Sequence, residues 1–136
     1  MNTVLLIEDN LEIASLLRLI ISRGGHRVLL AASLAEAEGI WSASKSEIDL
    51  LVTDNALPDG SGITYAERLH REKPTLKVIV VSGMPGPGFP PHFLRLDKPF
   101  QMAAFLNTLE LALAGKDSPP PGTPPFFIRN DAVDAG

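Results

Sequence analysis

Four apolar runs in this chain each end on side chains capable of chemistry. Val4 to Ile7 close on Glu8-Asp9, and Leu50 to Thr53 close on Asp54, behind which Asn55-Ala-Leu-Pro-Asp-Gly-Ser-Gly62 turns the chain. Val78 to Val81 close on Ser82-Gly83, and Phe93 to Leu96 lead to Asp97-Lys98-Pro99-Phe100. Carboxylates drawn into one crevice repel, which raises one or more of their pKa values. A divalent ion relieves that repulsion, and hard oxygen ligands with room for several waters suit Mg²⁺. Asp9 and Asp54 are the expected direct ligands, joined by the backbone carbonyl of Ala56, with Glu8 acting through a water. Lys98 adds an ammonium at the same mouth. A lysine and a metal beside a carboxylate suit phosphoryl transfer, with Asp54 as the nucleophile that accepts the group. Ser82 offers a hydroxyl to a new phosphoryl oxygen. The modification brings up to about −2 of charge and three acceptors, enough to draw in Ser82 and Lys98 and so act on a loop.

For these groups to meet, the runs must be neighbouring strands. Leu50, Leu51, Val52 and Thr53 have the strand propensity of a segment buried on both faces. Asn10 is a good N-cap for a helix in which Ile13, Leu16, Leu17 and Ile20 recur at helical spacing, stopped by Gly24-Gly25. Val28 to Ala31 read as a second strand. Ser33-Leu-Ala-Glu36 is a capping-box pattern, opening a helix through Ala37, Ile40 and Trp41 to about Lys45. Gly62 leads into a third helix with Ile63, Ala66 and Leu69, ended by Pro74, and Gln101 to Ala114 give a last one. Its apolar side is expected to carry Met102, Phe105, Leu106, Leu109 and Leu113. Strands alternating with helices predict an α/β fold, a doubly wound five-stranded parallel sheet. In the common order 2-1-3-4-5, the crevice between strands one and three brings Glu8, Asp9 and Asp54 together.

Composition limits the alternatives. With 136 residues, 45% hydrophobic and 21% charged, the chain suits one soluble domain with a single core. A formal net charge of −4 argues against a nucleic-acid surface. The absence of Cys excludes disulfides and thiolate metal sites and fits a reducing cytoplasm. The opening apolar stretch is too short and soon too acidic for a signal peptide, and no run approaches membrane-spanning length. Met84 to Pro91 are mostly Pro and Gly and oppose an ordinary helix. Residues 116–136 carry Ser-Pro-Pro-Pro-Gly-Thr-Pro-Pro125 and read as a Pro-rich linker or disordered tail, leaving 1–115 as the domain. Phe126-Phe127-Ile128 are expected to dock on the domain or on a partner. Trp41 reads as a core or half-buried residue, and His26, His70 and His92 as scattered.

From Thr3 to Ala114 the sequence resembles a receiver domain of the two-component response-regulator family. Glu8-Asp9 resembles its acidic pair, Asp54 its phosphoacceptor, Leu57-Pro58 with Gly62 the following turn, Ser82-Gly83 the switch residue with its small neighbour, and Lys98-Pro99-Phe100 the lysine with its cis proline. The resemblance implies a flavodoxin-like, CheY-like fold. It also implies phosphotransfer from a sensor histidine kinase or a histidine phosphotransfer protein, with Mg²⁺ required, in a signalling domain rather than an enzyme. Two departures stand out. The sixteen positions from Ser82 to Lys98 leave the family's fourth helix lost or reduced to a turn, and Arg95 stands where the family usually has an aromatic switch residue. These motivate a second reading, a receiver-like interaction module whose output does not depend on phosphorylation. A third, a phosphohydrolase, lacks the second catalytic Asp, since that position is Ala56.

Overall fold

The computed structural model describes residues 2–83 and 90–114. In chain order these form β1 (Thr3–Ile7), α1 (Leu11–Arg23), β2 (Arg27–Ala31), α2 (Leu34–Ser44), β3 (Leu50–Asp54), the two-residue strands β4 (Ala56–Leu57) and β5 (Gly60–Ser61), α3 (Gly62–Glu72), β6 (Lys77–Ser82), β7 (Leu94–Asp97) and α4 (Met102–Ala112). Five strands make one parallel sheet in the order β2-β1-β3-β6-β7. With the small antiparallel β4–β5 hairpin set apart, that is the 2-1-3-4-5 order expected.

The apolar runs are continuous because both faces of the sheet are covered. Leu5, Ile7, Leu51, Val78 and Val80 point to one side, where Ala37 and Trp41 of α2 and Tyr65, Ala66 and Leu69 of α3 close the core. Val4, Leu6, Leu50, Val52, Ile79 and Val81 point to the other, against Leu17 and Ile21 of α1 and Phe105 and Leu109 of α4. Polar ties lace α2 to α3 along their length. The Tyr65 hydroxyl and Arg68 donate to Glu38, and the Trp41 indole and Lys45 donate to Glu72.

Helix starts follow the sequence closely. Asn10 Oδ1 accepts from the amides of Glu12 and Ile13, and Ser33 Oγ accepts from Glu36. The Ser33–Glu36 box is a variant, since the Glu36 carboxylate takes the amide of Ala32 rather than that of Ser33. Ser61 caps α3 in the same way as Ser33 caps α2.

Helix faces follow it less well. On α1 the buried residues are Ala14, Leu17 and Ile21, while Leu16 is 45% exposed and Leu11 73%. On α4 the face is turned from the one expected: Met102 and Leu106 are exposed, and Ala104, Phe105, Thr108, Leu109 and Ala112 are buried. Small Ala104 and Ala112 on the sheet side allow close approach of the helix. The Thr108 hydroxyl donates to the Ala104 carbonyl at 2.8 Å, so its burial leaves no polar group unpaired. The last strand begins at Leu94, one residue later than expected, with Phe93 buried beside it.

The expected loss of a helix between β6 and β7 falls largely on residues 84–89, which lie outside the described residues. Their described flank, Pro90 to Phe93, forms a turn closed by the Phe93 amide on the Pro90 carbonyl. The Pro-rich segment and Phe126-Phe127-Ile128 also lie outside the described residues. Among the described residues no helix is long and apolar enough to cross a membrane.

Candidate functional site

Adjacent parallel strands bring the acidic groups together. Ile7 of β1 lies opposite Thr53 of β3, so the residues after them, Glu8 and Asp54, emerge side by side at the carboxyl edge of the sheet. Glu8 is 3% exposed and Asp54 8%. Carboxylate oxygens of Glu8, Asp9 and Asp54 lie within 4.8 Å of one another. The Asn10 amide donates to Glu8 Oε2 at 3.1 Å, which fixes that side chain at the start of α1.

Lys98 follows β7, and its amide donates to the Ser82 carbonyl at 2.8 Å. Its Nζ reaches back to Asp54 Oδ2 at 2.8 Å and to Glu8 Oε1 at 3.7 Å. The Lys98-Pro99 peptide is cis, as the resemblance implied. Ser82, 4% exposed, ends β6 one position beyond Val81, the register partner of Asp54.

Burial sets the protonation balance here. It raises the Glu8 carboxyl above the usual carboxylate range; the Asn10 amide and Lys98 oppose this, while the charge of Asp54 and a hydrogen bond with Asp9 add to it. For Lys98 burial disfavours the ammonium. The hydrogen bond and charge of Asp54, with Glu8 and Asp9 behind it, more than offset that and hold the lysine above its ordinary range.

The turn after Asp54 is built around close backbone approach. The Thr53 hydroxyl donates to the Asp54 carbonyl at 2.9 Å. A Cβ at Gly62 would lie 2.8 Å from Thr53 Oγ1 and closer still to the Asp54 carbonyl oxygen, so glycine is required there by space. The Asn55 amide donates to the Val81 carbonyl, and the Gly62 amide to the Asn55 carbonyl. Ala56 contacts the site through its amide, which donates to Asp54 Oδ1 at 3.3 Å.

Sequence reasoning placed Glu8, Asp9, Asp54, Ser82 and Lys98 at neighbouring strand ends, and the structure brings them there. It missed Asn55 and Asp59. Asn55 Oδ1 accepts from Ser61 Oγ and the Ile63 amide, and the Asp59 carboxylate accepts from the Leu34 and Ala35 amides at the start of α2. The Asn55 bonds close the turn that it begins, whereas the Asp59 bonds join distant segments, which no local pattern announces.

One further expectation changes. His70 and His92 are not scattered. Their ring centroids are 4.9 Å apart, with Phe93 edge-on to both, because the chain returning to β7 passes the last turn of α3. Arg95, on the last strand, donates from Nε to Asp97 Oδ1 at 2.7 Å.

The donor set of the crevice, three carboxylates facing one ammonium, consists of hard oxygens and fits a divalent cation. An open parallel sheet with such a crevice, and a lysine beyond its last strand, defines a receiver-type α/β domain. Residues 4–87, more than half of the chain, match the response regulator receiver domain family. The chain belongs to that family and is a receiver domain of two-component systems. The match stops before Lys98, whose place rests on the contacts above.

Among relatives, the DNA-binding transcriptional regulator NtrC of Azospirillum brasilense is 27% identical over 87% of this chain and 25% of its own length. The sensor kinase CckA of Brucella abortus (strain 2308) is 33% identical over 85% of this chain and 13% of its own length. The chain thus spans a quarter or less of these curated relatives. The non-phosphorylated HemR receiver domain from Leptospira biflexa superposes with a TM-score of 0.77 at 26% identity, covering 90% of this chain and all of that one.

Proposed function

We propose that this domain takes a phosphoryl group from phosphohistidine onto Asp54 and changes its binding to a downstream protein as a result. The donor is a sensor histidine kinase or a histidine phosphotransfer protein, and the reaction requires Mg²⁺. The observation that carries the reading is the convergence of Glu8, Asp9 and Asp54 within 4.8 Å, with Lys98 Nζ 2.8 Å from Asp54.

Asp9 and Asp54 would hold the ion directly, with the Ala56 carbonyl, and Glu8 would act through a water. When bound, Mg²⁺ supplies positive charge to the oxygens of the group in transfer. The protein's own residues do the rest. The Asp54 carboxylate attacks phosphorus, the P–N bond breaks, and its electron pair returns to the donor imidazole, which takes up a proton. Lys98, kept protonated by its carboxylate neighbours, balances the charge on the transferred group. Ser82, at the end of β6, donates its hydroxyl to a phosphoryl oxygen and carries the change toward the β6–β7 connection. Ala56 has no polar side chain with which to orient a hydrolytic water, so the acyl phosphate is moderately long-lived. The domain serves as a phosphoacceptor in the cytoplasm rather than a turnover enzyme.

The test is incubation of the purified chain with Mg²⁺ and a small acyl phosphate donor, followed by intact mass measurement. One phosphoryl mass is expected on the wild type and none on Asp54→Asn. No adduct with any donor would sink the reading.

The pairing of Arg95 with Asp97, where the family usually has an aromatic residue, favours a second reading. In it the domain is a receiver-shaped interaction module with constant output. Partner affinity would then be the same with and without a phosphoryl mimic, and a clear change excludes it.

A further inference from the structure

The β4–β5 hairpin carries Ala56 and consists of two paired positions on each side, Ala56 with Ser61 and Leu57 with Gly60. A ladder this short does not hold itself in water. Its base is fixed by Asn55 and Gly62, as described. Its tip is fixed differently. Asp59 Oδ1 accepts from the Leu34 amide and Oδ2 from the Ala35 amide, both at 3.0 Å. These two hydrogen bonds hold the Asp59 carboxyl below the ordinary carboxylate range, although the group is fully exposed. Beside it the backbone at Gly60 adopts φ +147°, and a Cβ there would meet Leu34 Cδ1 at 3.0 Å. The tip therefore sits on the first turn of α2 by charge and by close packing together.

α2 also carries a cap of its own at its third amide, while the Leu34 and Ala35 amides before it are met by Asp59. Ser33 Oγ accepts from Glu36, the Ser33 carbonyl from Ala37, and Glu36 Oε1 from Ala32. A carboxylate brought from another part of the chain onto these amides ties the hairpin to the helix as well as completing its cap. We propose that Asp59 is a positioning residue for the cation and phosphoryl site, clamping the hairpin on α2 so that Ala56 stays against Asp54. The inference rests on the phosphoacceptor reading above, and it assigns Asp59 no contact with ion or phosphoryl group.

Ser33→Ala supplies the control, because it weakens α2 at the same turn without touching the hairpin. Mg²⁺ affinity would be measured by calorimetric titration with MgCl₂, alongside the phosphorylation rate with a small acyl phosphate and the melting temperature. Asp59→Ala is expected to weaken Mg²⁺ binding about tenfold, as loss of a group that orients a metal ligand does, and to slow phosphorylation with it. Asp59→Asn keeps one acceptor oxygen and is expected to recover part of the loss, which also tests the idea should the alanine variant fold poorly. Ser33→Ala is expected to lower the melting temperature and leave Mg²⁺ affinity unchanged. Equal Mg²⁺ affinity in wild type and Asp59→Ala would overturn the inference alone, as would equal weakening by Ser33→Ala. A wild type that binds no Mg²⁺ and takes no phosphoryl group would overturn the functional reading, and this inference with it.

Discussion

Replacing Lys98 by Met keeps most of the aliphatic stem and removes the ammonium that faces the carboxylates. At the observed 2.8 and 3.7 Å to Asp54 and Glu8, an effective dielectric near 20 gives gross attractions of about 6 and about 4 kcal/mol. Desolvation of Lys98 and Glu8 offsets most of this. Removing one member of a buried pair costs about 3–5 kcal/mol net. The Lys98 side chain is 27% exposed, so water screens the pair and the low end applies, about 3 kcal/mol. For a domain of this size that lowers the melting temperature by on the order of 10 °C.

The loss must also depend on pH in one direction. Glu8 is held above the usual carboxylate range, chiefly by burial, with Lys98 among the influences that lower it. A raised carboxyl contributes stability that is fully present below its unfolded-state value and is lost as pH rises through its folded-state value. Without Lys98 the Glu8 value climbs further. The deficit of Lys98→Met is therefore largest at neutral pH and shrinks in mildly acid buffer. Thermal melts followed by circular dichroism, in low salt and without divalent ions, supply the assay. Millimolar Mg²⁺ should return part of the stability by mass action. Equal melting temperatures at neutral pH, or a deficit that does not shrink on acidification, would refute the reasoning.

Two other outcomes are expected. Gly62→Ala would force a Cβ into the Asp54 carbonyl and Thr53 Oγ1, at a cost of about 2–3 kcal/mol. Urea titration should show a lower midpoint at unchanged slope, and an unchanged midpoint would show that the turn yields freely. Tyr65 is the sole tyrosine, and burial followed by its hydrogen bond to Glu38 raises its phenol well above the ordinary value. Phenolate absorbance should therefore appear only at more alkaline pH than for free tyrosine, and Glu38→Gln should bring it down. Titration at the ordinary value would contradict the bond.

Much of the fold was legible because its signals are local. Apolar runs two faces deep gave the strands, and Asn10 and Ser33 marked two helix starts within single turns. The site was legible for the same reason, since each of its groups stands at the end of such a run. What escaped is decided by packing across the chain. Hydropathy selects Met102 and Leu106 as core on α4, yet rotation about Phe105 and Leu109 turns Ala104 and Ala112 inward instead. His70 and His92 meet only because the returning chain passes the end of α3. Asp59 looks like a turn residue until the start of α2 is seen beside it.

The lacing of α2 to α3 has an optical consequence. Trp41 is the sole tryptophan, 2% exposed, with its indole N–H on Glu72 at 2.9 Å. Its emission is expected to be that of a sealed, hydrogen-bonded indole and to shift to the red when the seam between the helices opens. Neither the indole nor Glu72 contacts Asp54, Lys98 or the acidic pair, so the colour of that emission follows the folded fraction rather than what Asp54 carries. One cuvette can thus report folding through fluorescence while phosphoryl loading is counted separately by mass.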